Sequence, residues 1–477
     1  MSKVNYEHPL YEELKPTWKQ IKDCINGERK VKKAKETYLP KPNATDLSEE
    51  NNVRYEQYLK RAVFYNVTGR TLSGLVGQVF AKPAKIETPD LLEVIVEDSD
   101  GSGVSLEQQA KCVLGHVISN GRSGLFVDYP TDGIEATRQD QLDGKIRPTI
   151  LHYDADSIIN WRTKRIGAQS KLTLVVLSET YTVDEDFDFE PEIVPQYRVL
   201  RLDENGYRVE LWRQSKDSGE FVISEVFTPT DSRNQYLTEI PFIFVGWENN
   251  DPNPDLPPLY DLSILNLAHY RNSADYEEAS YICGQPTLYV SGLDQPWVDD
   301  VLKGEVRLGS RAAIPLPEGG SAGLLQASAN GLPKEAMDMK ERQMVALGAK
   351  LVEQKQIQRT ATEAAIENSS ETSILASAAN NTSAAFERAL EWCMEFIGTA
   401  GEINFQLNTD FDIYRLNPQE QAALLSLWQN DVITWEEMRD NLKRASIAEL
   451  PNEEARDIIE AGQLDGMEND QSEIANE

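Results

Sequence analysis

The 477-residue chain is poor in the residues that carry most protein chemistry, having only four cysteines and four histidines. Cys24, Cys112, Cys283 and Cys393 are far apart and show no C-x-x-C spacing, which excludes a disulfide frame or a zinc ribbon and fits scattered thiols in a reducing compartment. His8, His116, His152 and His269 are equally dispersed. No H-E-x-x-H, G-x-S-x-G or Walker loop occurs; Glu318–Gly323 (EGGSAG) lacks the closing Gly-Lys-Ser/Thr and reads as a flexible turn. Asp184, Asp186 and Asp188 open like a calcium loop, but Phe189 stands where that loop needs glycine, so they read as an acidic hairpin tip. Asp251, Asn253 and Asp255 fail the same test at Leu256 and Pro257. No catalytic residue, metal ligand or cofactor site is expected. No apolar run approaches a membrane span, and the first residues, MSKVNYEHPLYEELK, lack the apolar stretch of a signal peptide.

Positive charge is also scarce: 47 Lys and Arg face 79 Asp and Glu, a net charge of −32. Tight nucleic-acid binding normally neutralises phosphates with Lys and Arg, so this balance speaks against it. Solubility accounts for it, and so does a surface past which a polyanion slides without sticking. The basic run Arg29, Lys30, Lys32, Lys33, Lys35 is most simply a solvated helix face.

What is present is periodicity. Residues 10–25 predict a short helix interrupted near Pro16, and the pattern from Asp46 and Glu49 carries helix to about Phe80, with Gly69, Gly74 and Gly77 marking a break or close packing. Residues 104–119 predict another amphipathic helix, followed by a buried strand at Leu125–Val127. From Thr149 the period changes to two, and 149–247 reads as an antiparallel β module in which Asp203–Gly206 turns a hairpin. Asn249–Pro258 is a linker. Then comes the stretch around which the chain is organised, Leu259–Gly398. Its first helix places Leu259, Leu262, Leu265, His269, Asn272, Tyr276, Ala279 and Cys283 on one face. A β-containing insertion, 285–332, holds strands TLYVSG and RAAIPL and a short helix at Trp297–Leu302. A second helix from about Lys334 to Glu353 aligns Met337, Met344, Leu347 and Leu351. A third, Glu371–Gly398, aligns Leu375, Ala379, Thr382, Phe386, Ala389, Cys393 and Ile397 over roughly 40 Å. Such narrow stripes with charged backs predict packing against neighbouring copies, through Leu262, Leu265, Met344, Leu347 and Phe386. A strand over 403–416, helices at Pro418–Asn430 and Thr434–Ala445, and a disordered acidic tail past Gly462 complete the chain.

This order of elements, with the motifs Tyr38–Pro40 (YLP), Gly121–Pro130 (GRSGLFVDYP), Ser157–Arg162 (SIINWR), Leu267–Glu278 (LAHYRNSADYEE) and Gln285–Gly292 (QPTLYVSG), resembles the bacteriophage portal protein family over about 35–450. The resemblance implies an α+β portal fold: an N-terminal arm (1–48), an α/β wing (49–256), stem helices at 257–284 and 333–353, and a clip (285–332). It further implies a tunnel loop (354–360), a long wing helix and returning strand (361–416), crown helices (417–461) and an acidic tail (462–477). It implies a ring, usually a dodecamer, at one capsid vertex, in the virion and, during assembly, in the host cytoplasm. Double-stranded DNA would pass through it during packaging and ejection. Its expected partners are the terminase large subunit, the major capsid protein and a head–tail adaptor, with no membrane. In that plan Lys350, Lys355, Ile357 and Arg359 face DNA, and the clip residues Trp297, Glu318, Gly319 and Gly320 meet the motor or adaptor. The alternatives are another head-completion or connector ring protein and a phage DNA-processing enzyme.

Overall fold

The structure, a computed structural model, describes residues 3–129, 146–183, 191–204, 206–215, 218–233, 235–285, 287–292, 294–302, 315–326, 331–351 and 373–409. Beyond these it describes 411, 418–430, 432–444, 448, 450–452, 454–456 and 458–459. Helix and sheet are mixed throughout, an α+β chain. It divides into two compact units, Met1–Thr409 and Asp410–Glu477.

The first unit opens with α1 (Pro9–Ile25), which begins at proline, where the missing N–H costs nothing, and is capped by the His8 side chain. The predicted interruption at Pro16 does not occur: burial of Tyr11, Trp18, Ile21 and Cys24 on one face holds the helix through it. After α2 (Glu28–Lys33) come α3 (Glu49–Arg61), capped by Ser48, and α4 (Val67–Val79), capped by Asn66. The chain breaks at Ala62–Asn66 and not at the glycines. Gly69 lies inside α4 because any Cβ there would meet the Ile25 carbonyl at 2.7 Å. Short β1 (Lys85–Glu87) and α5 (Glu93–Glu97) lead to α6 (Leu106–Asn120), which starts in a Ser105–Gln108 capping box and ends at left-handed Gly121.

The β module is two sheets rather than one. Strand β2 (Arg122–Asp128) pairs antiparallel with β3 (Thr149–Asp154) on one side and β9 (Phe242–Gly246) on the other. The second sheet is an antiparallel meander of β4 (Ile158–Ile166), β5 (Gln169–Val183), β6 (Glu192–Asp203), β7 (Gly206–Gln214) and β8 (Phe221–Phe227). Tyr11 and Trp18 of α1 join the apolar cluster over these sheets, with Phe126, Trp161, Val175, Leu200, Tyr207 and Phe242. At its edge, Arg122 is buried with its guanidinium 3.8 Å from the Trp161 ring centroid and 4.2 Å from that of Phe244. Burial lowers its pKa to about 9.

Helix α7 (Tyr260–Cys283) follows the linker, which is itself structured: Asn250 Nδ2 donates to the Asn381 carbonyl (2.9 Å), and Asn381 Nδ2 donates to the carbonyls of Gly246 and Trp247 (both 3.0 Å). Strands β10 (Thr287–Ser291) and β11 (Ser321–Leu325) form a ribbon, and α8 (Leu332–Lys350) returns alongside α7. Residues 318–323 are therefore only half a turn: Gly319 and Gly320 turn, and Ser321–Gly323 extend β11, because glycine at 323 leaves room for the Tyr289 ring beside it. Trp297–Leu302 is a π-helical turn. Of the predicted strand RAAIPL, residues 311–314 lie outside the described residues, as do 354–360.

Helix α9 (Ile374–Ile397) starts at its Ser373 cap, and it is not the one-sided stripe the spacing predicts. Ala376, Ala378, Ser383, Ala385, Leu390, Trp392 and Phe396 are buried as well, because α6 and the β2–β9 sheet cover it on several sides. Phe386 is fully buried against Phe405, with ring centroids 5.1 Å apart, so it holds the chain's own core and not a neighbouring copy. Strand β12 (Asn404–Gln406) pairs with β1, and 410 and 412–416 of the expected 403–416 strand lie outside the described residues. The second unit contains α10 (Pro418–Gln429) and α11 (Trp435–Arg444); Thr434 and Glu437 cap the latter reciprocally at 3.1 and 2.8 Å.

Candidate interface on the helical hairpin

The α7–β10–β11–α8 segment has a fixed base and an open tip. At the base, three buried polar residues of α7, Ser263, Asn266 and Ser273, address the N-terminal segment, and a fourth, His269, meets Glu341 of α8 through Nε2 (3.2 Å). Asn266 Oδ1 accepts from Val67 N (3.2 Å), Thr68 N (3.1 Å) and Thr68 Oγ1 (2.9 Å), while its Nδ2 donates to the Tyr65 carbonyl (2.8 Å). These are amides of the first turn of α4, which no intrahelical carbonyl can serve, so a residue from a distant helix completes that terminus. Ser273 Oγ accepts from Val63 N (2.8 Å), Gln20 Nε2 donates to Ser263 Oγ (3.0 Å), and Tyr58 donates to Asp275 (2.7 Å). Arg61 pairs with Glu278, and Leu267, Tyr270 and Ala274 pack with Tyr55, Leu59, Ala62 and Phe64.

Past Asp275 the burial stops. Tyr281 and Ile282 are about half exposed, and the ribbon exposes Tyr289 (51%), Leu324 (59%) and Leu325 (68%). On α8, Leu332, Met339 and Val345 are exposed, the last by 71%. A two-stranded ribbon is marginal in water by itself, and one with apolar side chains open to solvent needs another surface. Of the predicted packing residues, Leu262 of α7 and Met344 of α8 are buried within the chain, and Leu265 and Leu347 are half-buried. The residues left open are others: Tyr281, Ile282, Tyr289, Leu324, Leu325 and Leu332 toward the tip, and Met339 and Val345 along the α8 flank.

The predicted clip residues lie within this hairpin's tip. Trp297 is half-buried and its Nε1 donates to the Pro315 carbonyl (3.3 Å), which ties the π-turn to the loop before β11. Glu318 is exposed, Gly319 has φ +85°, and Gly320 sits over Gly292, where an added Cβ would meet its Cα at 3.0 Å. Lys350 ends α8; Lys355, Ile357 and Arg359 lie outside the described residues.

The structure also gathers residues that spacing had left apart. Cys112 and His116 share a face of α6 and meet His152 of β3: the His116 and His152 ring centroids are 4.9 Å apart, and Cys112 Sγ is 3.9 Å from His152 Nδ1. His152 Nε2 hydrogen-bonds Ser123 Oγ (2.7 Å). The only signal in the sequence was the i, i+4 spacing of Cys112 and His116. Burial, with His116 beside it, pushes the His152 imidazole down to about 4, and burial raises the Cys112 thiol. Both are neutral near pH 7, Ser123 is fully buried, and Asp154 is held by Ser157 (2.6 Å) and Lys22 (3.4 Å). Ser123 is out of a substrate's reach, and an imidazole with a pKa near 4 is too weak a base to activate it or the neutral Cys112 thiol, so the cluster lacks the activated nucleophile of an acyl-transfer site. Among the described residues no group of three or more His, Cys, Asp or Glu is arranged to hold a metal ion, and no helix is long and apolar enough to cross a membrane.

A family model described as "Domain of unknown function (DUF4055)" matches residues 258–397, from the start of α7 to the end of α9. No curated protein matches the chain. Among solved structures, the chain is similar to one in "Virion of native gene transfer agent (GTA) particle", with 13% identity over 81% of this chain and 92% of that one, at a TM-score of 0.40. It is likewise similar to one in "Neck of native GTA particle computed with C12 symmetry" (12% identity, 79% and 89% covered, TM-score 0.37) and one in "Neck of empty GTA particle computed with C6 symmetry" (13%, 83% and 93%, TM-score 0.38).

Proposed function

We propose that the chain is the portal protein of a phage-like particle: a non-enzymatic ring subunit at one capsid vertex, through which double-stranded DNA enters and leaves. The observation that carries this reading is the α7–β10–β11–α8 hairpin, locked at its base by Asn266 and Ser273 and apolar at its exposed tip. A lever so fixed has one use for an apolar end, which is contact with another molecule. In a ring the flanks of α7 and α8 meet the neighbouring copies, and the ribbon with Trp297 and Glu318 projects to dock the packaging motor and later the head–tail adaptor. The order of sequence motifs from Tyr38–Pro40 to Gln285–Gly292 supports the same reading, and the −32 charge suits a conduit that must release its polyanion. Lys350, Lys355 and Arg359 belong, on this reading, to the loop that touches DNA.

Native mass spectrometry and negative-stain imaging of the purified protein test it. The expected particle is a ring of many 53.7 kDa subunits. Val345→Asp, which charges an exposed flank without touching a buried contact, should shift the population toward monomer at unchanged melting temperature. A wild-type chain that stays monomeric at every concentration overturns the proposal.

A further inference from the structure

In a chain this acidic, the five-stranded sheet carries a concentration of unpaired positive charge. The β4–β5 hairpin, exposed from Arg162 to Ser170, and the β6–β7 turn enclose a cleft of about 1000 Å³. Five bases line it, Arg162, Lys164, Lys171, Arg201 and Arg208, against two acids, Asp203 and Glu204. Arg201 and Arg208 are held from behind by the buried carboxylate of Glu210, at 3.0 and 2.8 Å. Arg162, Lys164 and Lys171 have no carboxylate within 4 Å among the described residues. Lys164 and Lys171 stand directly opposite each other in the antiparallel register, an arrangement that destabilises a hairpin unless something anionic lies between them. Among the described residues Lys171 reaches only the Thr238 carbonyl, at 3.5 Å.

We infer that this cleft binds the phosphodiester backbone of a nucleic acid, as a second contact separate from the helical hairpin and independent of the ring reading. Two features favour phosphates over an acidic polypeptide. The β4 edge is interrupted by register shifts at Ile158/Asn160 and Arg162/Thr163, so an incoming peptide strand finds no continuous ladder to extend. The cleft instead offers cation tips with the exposed hydroxyls of Thr163, Tyr236 and Thr238, the donor set that positions a backbone without reading bases. Asp203 and Glu204 at its margin keep the contact weak and quickly exchanging.

Fluorescence anisotropy of a labelled duplex of arbitrary sequence, titrated with the full chain, reads the site. Three unpaired cations give a salt slope of about −2.7, so affinity should fall about 40-fold between roughly 50 and 200 mM salt. In Lys164→Gln/Lys171→Gln that fall should shrink to about 4-fold, with weaker binding at the low-salt end. Lys164→Glu alone creates an opposite-charge pair with Lys171, so its melting temperature should not drop while its binding does; this separates lost binding from lost fold. No binding by the wild type at low salt, or an unchanged salt slope in the double variant, overturns the inference. So does polyglutamate that displaces the duplex as well as unlabelled duplex does, which would assign the cleft to an acidic protein surface.

Discussion

Asn266→Ala tests whether the base of the hairpin is held as the geometry says. The substitution removes one acceptor that serves three donors and one donor to the Tyr65 carbonyl. Two donors are orphaned, the amide and hydroxyl of Thr68, both fully buried; Val67 N and Tyr65 O keep each other at 2.8 Å. Each buried group left without a partner costs about 1–3 kcal/mol, and the small cavity left by alanine admits water that recovers part of this. The net expectation is about 3 kcal/mol, concentrated where α7 meets α4. Hydrogen exchange resolves that location. At about 1.4 kcal/mol per tenfold, the Thr68 amide should exchange roughly 100-fold faster, while amides of the β4–β8 sheet keep their protection. On the portal reading proposed above, ring formation should weaken in parallel, because a tilted lever misplaces its tip. Thr68 exchange within threefold of wild type would refute the claim that Asn266 completes the α4 terminus.

Three further outcomes follow from the buried groups. His152 has a folded pKa of about 4 against the ordinary 6.5, so the unfolded chain binds the extra proton between these values; stability present above pH 6.5 should be lost, by about 2–3 kcal/mol, as pH falls toward 4, and His152→Gln should flatten that part of a urea-midpoint profile. Phe386→Ala should cost about 3–5 kcal/mol in the chain's own stability, seen as a lowered melting temperature that does not depend on protein concentration. Arg122→Met should leave the melting temperature unchanged or raise it, by up to about 2 kcal/mol of stability, since its guanidinium is buried without a hydrogen-bond partner among the described residues; a clear loss would mean the two ring contacts outweigh desolvation.

Much of the fold was legible because periodicity survives without knowledge of partners. The switch to a period of two at Thr149 located the strands of the meander, and the Asp203–Gly206 turn was readable from its residues. What spacing could not supply was which strands share a sheet. Strand β2 lies between β3 and β9, a pairing that joins segments more than a hundred residues apart at Phe126 and Phe242. The burial of α9 was misread for a related reason: alanine and serine at 376, 378, 383 and 385 look neutral in sequence, yet small side chains are what let other elements approach a helix closely. The base of the hairpin was invisible in the same way. Ser263, Asn266 and Ser273 lie off the apolar stripe, and nothing local marks them as partners of Gln20, the α4 terminus and Val63, some two hundred residues earlier. The positive cleft was hidden by the total: a charge of −32 conceals three lysines and arginines that the β4–β5 register brings together.

The long reach of Asn266 also sets a timetable. Residues Tyr55, Leu59, Ala62 and Phe64 share their cluster with Leu267, Tyr270 and Ala274, and Gln20 meets its partner 243 positions later. A ribosome adding roughly 5–20 residues per second needs on the order of 10–40 s to cover the two hundred positions between Asn66 and Asn266. For that interval the helices at the start of the chain stand with an open apolar face and an unfinished α4 terminus, while the sheets between can already pair. The N-terminal helices are therefore made first and completed late, and a nascent chain paused before α7 is the form most exposed to chaperones and proteases.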